Sequence, residues 1–165
     1  MKAIRHQLPG LSAVHQEFLT GRYRLPQPRV GLGPRLVGLA HGAMDVSDGL
    51  VQDLGHLCRA SGLAARIEAA QVPLSPAAAA ALGRDQSLLA SVLAGGDDYE
   101  VLFTAAPGAS PDVDRMAAEL GLALTAIGSL GEGEPGTVAV IGPDGENVPV
   151  GQGGWRHFGG MQQGE

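Results

Sequence analysis

The sequence predicts an α/β fold, because helical patterns alternate with short apolar runs that are typical of strands along the whole chain. Its 165 residues fit one domain of ordinary size better than two. No segment repeats another, and hydrophobic residues make up 44% of the chain. We therefore expect one domain built around one hydrophobic core.

The N-terminal region predicts a short helix followed by a linker. Apolar residues recur at helical spacing over residues 11–20, Ser12 is a suitable N-cap, and Gly21 is a typical stop signal. Residues 21–33 contain two prolines and three glycines, a composition that does not support a long helix. We expect an extended linker there.

The stretch AMDVSDGLVQDLG predicts the end of a strand followed by a helix. Its first part is apolar apart from Asp45. An apolar stripe over residues 50–58 predicts the helix, with Ser47 or Asp48 as its N-cap and Gly62 as its stop. Asp45 and Ser47 would then precede the helix, and Asp48 would open it.

The remaining patterns continue the alternation of strands and helices. The predicted strands cover residues 63–68, 100–104, 122–127 and 137–141, and the predicted helices cover residues 75–82, 86–93 and 111–120. The strand EVLFT, the second of these, is apolar enough to be buried. The turn-rich segment SLGEGEPG separates the last two strands, and Pro-Asp-Gly predicts a tight turn after the final one.

Composition argues against several classes of protein. A net charge of -6 argues against nucleic-acid binding, which usually needs a clustered basic face. No apolar run approaches the length of a membrane span, and the N-terminus lacks the apolar region of a signal peptide, so we expect a soluble, cytoplasmic protein. Cys58 is the single cysteine, which excludes a disulfide framework within one chain, and we expect its thiol to be buried and inert.

Lysine usage restricts the phosphate chemistry that this chain could perform. Lys2 is the only lysine, so the chain has neither a Walker A motif nor the strand lysine of protein kinases. Phosphate chemistry would depend on metal ions, backbone amides or arginines. Four arginines lie between residues 22 and 35, a local exception to the acidic composition.

The segment from Asp45 to Gly49 fits four interpretations to different degrees. An EF-hand loop is excluded, because glycine is fifth rather than sixth and His56 stands where a bidentate glutamate is needed. A nucleophile elbow is excluded, because Asp45 stands where the first glycine is needed. Ser47 and Asp48 could simply cap the helix. Alternatively, both carboxylates bind a hard cation such as Mg²⁺ while the helix amides favour phosphate. The last two interpretations remain open.

Two further sites have both structural and functional interpretations. In the segment LAGGDDYEVLF, Gly95 and Gly96 permit a sharp turn that would present Asp97 and Asp98 just before a strand. That turn is either an acidic solvent loop or part of a binding site. Trp155, in GWRHF, is either a core residue or a stacking surface for a flat ligand ring.

Taken together, AMDVSDGLVQDLGHLCRASG, LAGGDDYEVLFT and GWRHF resemble the C-terminal half of bacterial thiamine-monophosphate kinase. The preceding RYRLPQPRVGLG looks like that family's inter-domain segment. A weaker resemblance extends to aminoimidazole ribonucleotide synthetase and to other enzymes of its fold. The resemblance implies helices packed on a mixed β-sheet, as in the C-terminal domain of that synthetase, with residues 1–36 as helix and linker and residues 37–165 as the domain.

The resemblance also implies a reaction, in which ATP phosphorylates thiamine monophosphate to thiamine diphosphate with Mg²⁺ as cofactor. Asp45 and Asp48 become Mg²⁺ ligands, Ser47 an ATP contact, and Asp97 and Trp155 contacts to the thiamine substrate. No catalytic side chain is implied, because phosphoryl transfer rests mostly on positioning and charge neutralisation. The family members are homodimers, and neither nucleic acid nor membrane is an implied partner.

The sequence departs from the family pattern in ways that leave alternatives open. Asp97 replaces the usual glutamate, and Arg156 stands where the family often has an acid. The family's N-terminal ATP and magnesium domain has no counterpart in these 165 residues, so we expect the chain alone to be inactive. A catalytically inactive ligand-binding fragment is one alternative. Another kinase or synthetase of the same fold is a second, although Cys58 does not fit the C-terminal catalytic cysteine of the hydrogenase maturation factor.

Overall fold

The computed structural model of the protein describes residues 10–150. Over this range the chain alternates helices and strands, as the sequence predicts. The helices are α1 Ala13–Arg24, α2 Gly33–Leu36, α3 Leu50–Ser61, α4 Pro76–Leu82, α5 Leu88–Ala94 and α6 Ser110–Leu120. The strands are β1 Ala40–Asp45, β2 Ala64–Glu68, β3 Val101–Ala105, β4 Gly128–Gly131 and β5 Val138–Ile141. Two short 3₁₀ turns, Ala69–Gln71 and Pro107–Ala109, lie between them.

The strands form two sheets. β1 and β3 pair as an antiparallel ribbon. The second sheet has the order β4-β2-β5, with β2 antiparallel to β4 and parallel to β5. The predicted mixed sheet is therefore confirmed, and the parallel pair is connected through intervening helices, as parallel strands require.

The β1–β3 ribbon lies between two hydrophobic clusters. On one face Leu102 packs into the cluster that contains Leu54, Cys58 and Ile67. On the other face its neighbours in β3 pack against a cluster whose buried members are Leu32, Leu36 and Met116. Adjacent strand residues point to opposite faces, so a single ribbon joins both clusters. The prediction of a buried strand holds only for Leu102, because the rest of β3 is half-buried.

Helix α3 has the buried apolar stripe and the Gly62 stop that the sequence predicts, although its N-cap is Gly49 rather than Ser47 or Asp48. Leu54, Leu57 and Cys58 are buried, and Gly62 ends the helix in the left-handed conformation, with φ of 69°. Burial raises the pKa of the Cys58 thiol by desolvation. The predicted buried state of this cysteine is therefore confirmed.

Helix α1 is longer than predicted. Ser12 caps it by accepting a hydrogen bond from the His15 amide at 3.2 Å, as expected. The helix continues through Gly21 to Arg24, so the linker prediction is wrong for those residues. An internal glycine costs a helix only about 1 kcal/mol. The helix ends before Pro26, because a proline disfavours the helical conformation of the residue that precedes it.

The predicted strand at residues 122–127 is wrong. Leu122 and Leu124 pack into one hydrophobic cluster and Ile127 into the other, so this segment crosses between the two clusters. The strand that pairs antiparallel with β2 is β4, part of which the sequence predicts as a turn. Its first residue, Gly128, passes so close to β2 that a Cβ atom there would overlap the Arg66 carbonyl oxygen.

The two glycines of β4 give a matched test of this close approach. Gly128→Ala should lower the free energy of unfolding by about 1–3 kcal/mol, because its methyl group would overlap β2. Gly131→Ala should leave stability unchanged or raise it by about 0.5–1 kcal/mol, since a Cβ atom there would meet no other atom within 4 Å. Urea denaturation of both variants checks the prediction. Equal effects at the two positions would contradict it.

Candidate functional site

The first predicted motif forms a loop between β1 and α3. Asp45 ends β1, and α3 begins at Leu50 after a Gly49 N-cap with φ of 133°. The predicted capping by Ser47 or Asp48 is wrong, because the N-cap is Gly49, which has no side chain that could accept a capping hydrogen bond. We call residues 45–49 the first loop.

A buried aspartate within α3 takes over the capping role. The Asp53 side chain is buried, and one of its carboxylate oxygens accepts hydrogen bonds from the amides of Ser47, Asp48 and Gly49 at 2.9, 3.0 and 3.1 Å. Sequence reasoning missed Asp53. The available signal was an acid in the first turn of the helix, which can reach back to amides that precede the helix, as the glutamate of a capping box does.

The second predicted motif lies beside the first. We call residues 95–99 the second loop, which connects α5 to β3. The β1–β3 pairing continues beyond the strands through hydrogen bonds from the Val46 amide to the Glu100 carbonyl at 2.8 Å and from the Tyr99 amide to the Val46 carbonyl at 2.9 Å. The Asp97 amide also donates to the Ser47 carbonyl at 2.8 Å. The structure therefore brings Ser47 and Asp97 together.

The glycines of the two motifs permit close approach of the backbones. A Cβ atom on Gly96 would overlap the Ser47 carbonyl oxygen, and one on Gly49 would lie 2.6 Å from the Ala94 carbonyl oxygen. The left-handed backbone angles of the second loop occur at Asp97, with φ of 71°, and Tyr99, with φ of 52°. Gly95 has an ordinary φ of -71°, so the turn does not use the backbone freedom that this glycine permits.

Glu100 is engaged by two of the N-terminal arginines. Arg29 binds its carboxylate through two nitrogens, at 2.7 and 2.6 Å, and Arg22 adds a contact at 3.0 Å. A two-nitrogen arginine–carboxylate pair fixes direction as well as distance. The pair with Glu100 also raises the pKa of Arg29. This arrangement explains part of the local arginine excess and connects both the end of α1 and the segment after it to the end of the second loop.

Asp98 has an unusual proton affinity. Although the residue as a whole is exposed, surrounding protein displaces water from its carboxylate, and this desolvation raises its pKa from 3.8 to about 6. Glu100 and Asp97 raise the pKa further by repulsion, whereas Arg22 lowers it. The second loop therefore concentrates negative charge that its immediate neighbours only partly balance.

The carboxylates of the first loop are suitable donors for a hard cation, but they are few. Asp45 is exposed, and Asp48 is half-buried and accepts a hydrogen bond from the Gln52 side chain at 3.2 Å. Oxygen donors of this kind fit Mg²⁺, which keeps waters and substrate phosphates among its ligands. Among residues 10–150 no three histidine, cysteine or acidic side chains are grouped so that they could hold a metal.

One predicted contact falls outside the range of the structure. Trp155 lies beyond the described residues, so its expected proximity to Asp97 stays a prediction. A separate cavity of about 270 Å³, lined by residues such as Arg35, Arg115 and Met116, shares no residue with either loop. Among the described residues, no helix is both long and apolar enough to cross a membrane.

Residues 21–141 contain both loops and the arginines that bind Glu100, and this range matches a known protein family. They match the family described as AIR synthase related protein, C-terminal domain. The chain belongs to this family. As an AIR synthase related C-terminal domain, it has the helices and mixed sheet that the resemblance implies.

Several relatives of this AIR synthase related domain carry a more specific name. The thiamine-monophosphate kinase of Haemophilus influenzae is 39% identical over 127 residues, which are 76% of this chain and 38% of that protein. The crystal structure of thiamine-monophosphate kinase from Stenotrophomonas maltophilia is 40% identical, with a TM-score of 0.75, over 88% of this chain and 46% of that one. AaThiL, solved in complex with AMPPCP and TMP, is 29% identical with a TM-score of 0.68, over 92% and 45%. This chain spans less than half the length of each.

The raised pKa of Asp98 predicts a pH-dependent effect on stability. The folded pKa, about 6, exceeds the ordinary value of 3.8, so ionised Asp98 destabilises the fold above about pH 6, and this cost is relieved as the pH falls toward 4. Asp98→Asn should therefore raise the melting temperature most at about pH 7.5 and progressively less below pH 6. Salt should reduce only the part of the effect that comes from repulsion by Glu100 and Asp97, because salt screens charge–charge interactions and does not restore lost hydration.

Thermal unfolding at several pH values checks this prediction, with Asp114→Asn on α6 as the control for replacing an exposed carboxylate. A gain from Asp98→Asn that is the same at every pH would contradict it. So would a carboxyl titration near the ordinary aspartate value in an NMR experiment.

Proposed function

We propose that this chain is the C-terminal half of a thiamine-monophosphate kinase, in which ATP phosphorylates thiamine monophosphate to thiamine diphosphate. One observation carries the proposal: two acidic loops 50 residues apart in sequence meet through the hydrogen bond between Asp97 and Ser47. The identity of 39–40% to proteins of that name supports it. The complex of AaThiL with AMPPCP, an ATP analogue, and TMP supports the two substrates.

In this proposal the two loops have different ligands. Asp45 and Asp48 bind Mg²⁺, and Ser47 contacts ATP. Asp97 and Trp155 contact the thiamine monophosphate. Because Ser47 and Asp97 are directly hydrogen-bonded, a nucleotide on one loop and a substrate on the other would be neighbours, which favours transfer between them.

The proposed reaction transfers one phosphoryl group. A phosphate oxygen of thiamine monophosphate forms a bond to the γ-phosphorus of ATP, and the bond from that phosphorus to the β-bridging oxygen breaks, which releases ADP. When bound, Mg²⁺ would neutralise part of the phosphate charge. In this proposal Asp45 and Asp48 of the first loop would hold the cation, and Asp97 of the second loop would orient the accepting molecule.

The domain arrangement and the assembly belong to the same proposal. We keep the division into residues 1–36 and 37–165 as a prediction, with Leu32 and Leu36 buried against Met116 as evidence that the end of the first segment docks on the second. A cytoplasmic location, which the sequence analysis expects, is part of the proposal, and a homodimer of the complete enzyme is implied by the family resemblance alone.

A catalytically inactive ligand-binding role is the second candidate. The observation that favours it is the small ligand set, since residues 10–150 contain no group of three side chains suited to a metal. Under this alternative, the two loops would bind nucleotide or thiamine monophosphate without turnover. Under the first proposal, the remaining ligands would come from ATP, water and protein outside this range.

A chimera separates the two candidates. This chain would be joined to the part of the Stenotrophomonas maltophilia enzyme that it does not match, and transfer of labelled γ-phosphoryl to thiamine monophosphate would be measured. We expect turnover by the chimera and none by the 165-residue chain alone, because part of the charge neutralisation would be missing. Asp45→Asn and Asp48→Asn in the chimera should each lower kcat on the order of 100-fold.

Asp114→Asn on α6 is the control in the same chimera, because it removes an exposed carboxylate outside both loops. Normal turnover by both loop variants would reject the metal assignment. Ligand binding by a chimera that never turns over would favour the ligand-binding role.

Asp97 and Trp155 provide a test of the substrate assignment. The thiamine ring system is flat and cationic, so it suits one aromatic face and one carboxylate. Trp155→Ala should weaken binding of thiamine monophosphate roughly 2- to 10-fold, as loss of an aromatic contact does, with ATP affinity almost unchanged. Asp97→Ala should act in the same direction. Calorimetric titration of the chimera with each ligand measures both effects, and equal weakening of the two ligands would contradict the assignment.

A further inference from the structure

The amides of the first loop converge on a group that belongs to the protein itself. Consecutive backbone N–H groups next to a helix N-terminus form a concave site that favours anions such as phosphate. In this chain the amides of Ser47, Asp48 and Gly49 point at one oxygen of Asp53, whose side chain is buried. The sequence leaves open whether these amides bind phosphate. The Asp53 carboxylate already occupies them and therefore opposes such binding.

We propose that Asp53 is the positioning residue of the first loop. Its carboxylate occupies the amides that would otherwise attract phosphate, and it leaves the side chains of Asp45, Ser47 and Asp48 as the groups that the loop offers to ligands. The loop consequently selects a cation, and phosphate approaches it through that cation. The identity of the ligand rests on the proposed function, whereas the positioning by Asp53 rests on the contacts alone.

Burial makes this role hard to replace. Asp53 is 2% exposed, so little water can take over the three hydrogen bonds if the carboxylate is removed. The positive end of the α3 dipole also favours a negative charge at this place. Loss of the charge would therefore leave three amides poorly satisfied, of which the Gly49 amide is buried and the other two are half-buried, and we expect the loop to rearrange.

A rearrangement would reach both loops. Gln52 donates to Asp48 from the turn that carries Asp53, and the Ser47 carbonyl accepts the Asp97 amide. The positions of Asp48 and Asp97 therefore depend on the first loop, whose backbone is fixed by hydrogen bonds to the buried Asp53 carboxylate. Asp53 touches the loop backbone, and the roles of metal and substrate contact stay with the residues proposed above.

The test uses the 165-residue chain and two separate readouts. Hydrogen exchange of the amides of residues 47–49, measured by NMR without metal, reports on the positioning. Broadening of the same signals by added Mn²⁺ reports on the cation site. The variants are Asp53→Asn, Asp53→Glu, Asp48→Asn and the control Asp114→Asn.

For Asp53→Asn we expect the three amides to exchange at least about tenfold faster and Mn²⁺ to bind at least about tenfold more weakly, while the signals of β2 and β5 stay in place. Asp53→Glu keeps the charge and should restore part of both properties. Asp48→Asn should weaken Mn²⁺ binding with slow exchange retained at Ser47 and Gly49. Asp114→Asn should match the unmodified chain in both readouts.

Unchanged exchange and unchanged Mn²⁺ affinity in Asp53→Asn would overturn the proposal. If the unmodified chain shows no response to Mn²⁺, the proposed cation site fails, and amide exchange still decides the role of Asp53. If Asp53→Asn does not fold, Asp53→Glu decides: exchange as slow as in the unmodified chain supports positioning by charge, and exchange accelerated to the level of free peptide overturns it.

Discussion

The antiparallel pairing of β1 with β3 is the constraint on which the candidate site depends. The pairing fixes Asp45 opposite Val101 and continues into the loops through Val46 and Tyr99. The two loops are thereby joined to each other by backbone hydrogen bonds, and the Asp53 carboxylate supports the first loop in addition. The acidic side chains remain accessible because the backbone supplies the contact between the loops, and packing of the ribbon between two hydrophobic clusters holds it in place.

Charge is distributed unevenly around this junction. Glu100 is paired with Arg22 and Arg29, which lie more than 70 positions earlier in the chain. Asp53 is buried against three amides. These two acids are structural, whereas Asp45, Asp97 and Asp98 are exposed. The protein thus satisfies some acids internally and leaves others facing solvent.

Local signals predicted most of the elements. The apolar stripe of α3 and the Gly62 stop predicted the helix correctly, because both depend on residues within a few positions. The strand at residues 122–127 failed because its apolar residues serve two different clusters, and periodicity alone does not distinguish a strand from a crossing segment. The capping by Ser47 or Asp48 failed because the N-cap is Gly49, and Asp53 reaches back from inside the helix to accept the amides that precede it.

The sequence by itself determined the α/β class, the two acidic motifs and the family resemblance, since each is written in residue types at short spacing. Only the tertiary structure decided which acids are free. Sequence treats Asp97, Asp98 and Glu100 as one cluster, yet distant arginines engage Glu100, and desolvation raises the pKa of Asp98. Likewise, the closeness of Gly96 to Ser47 depends on strand pairing between segments about 50 residues apart. Hydrogen bonds and charge pairing act over a few ångströms in space, whatever the separation along the chain.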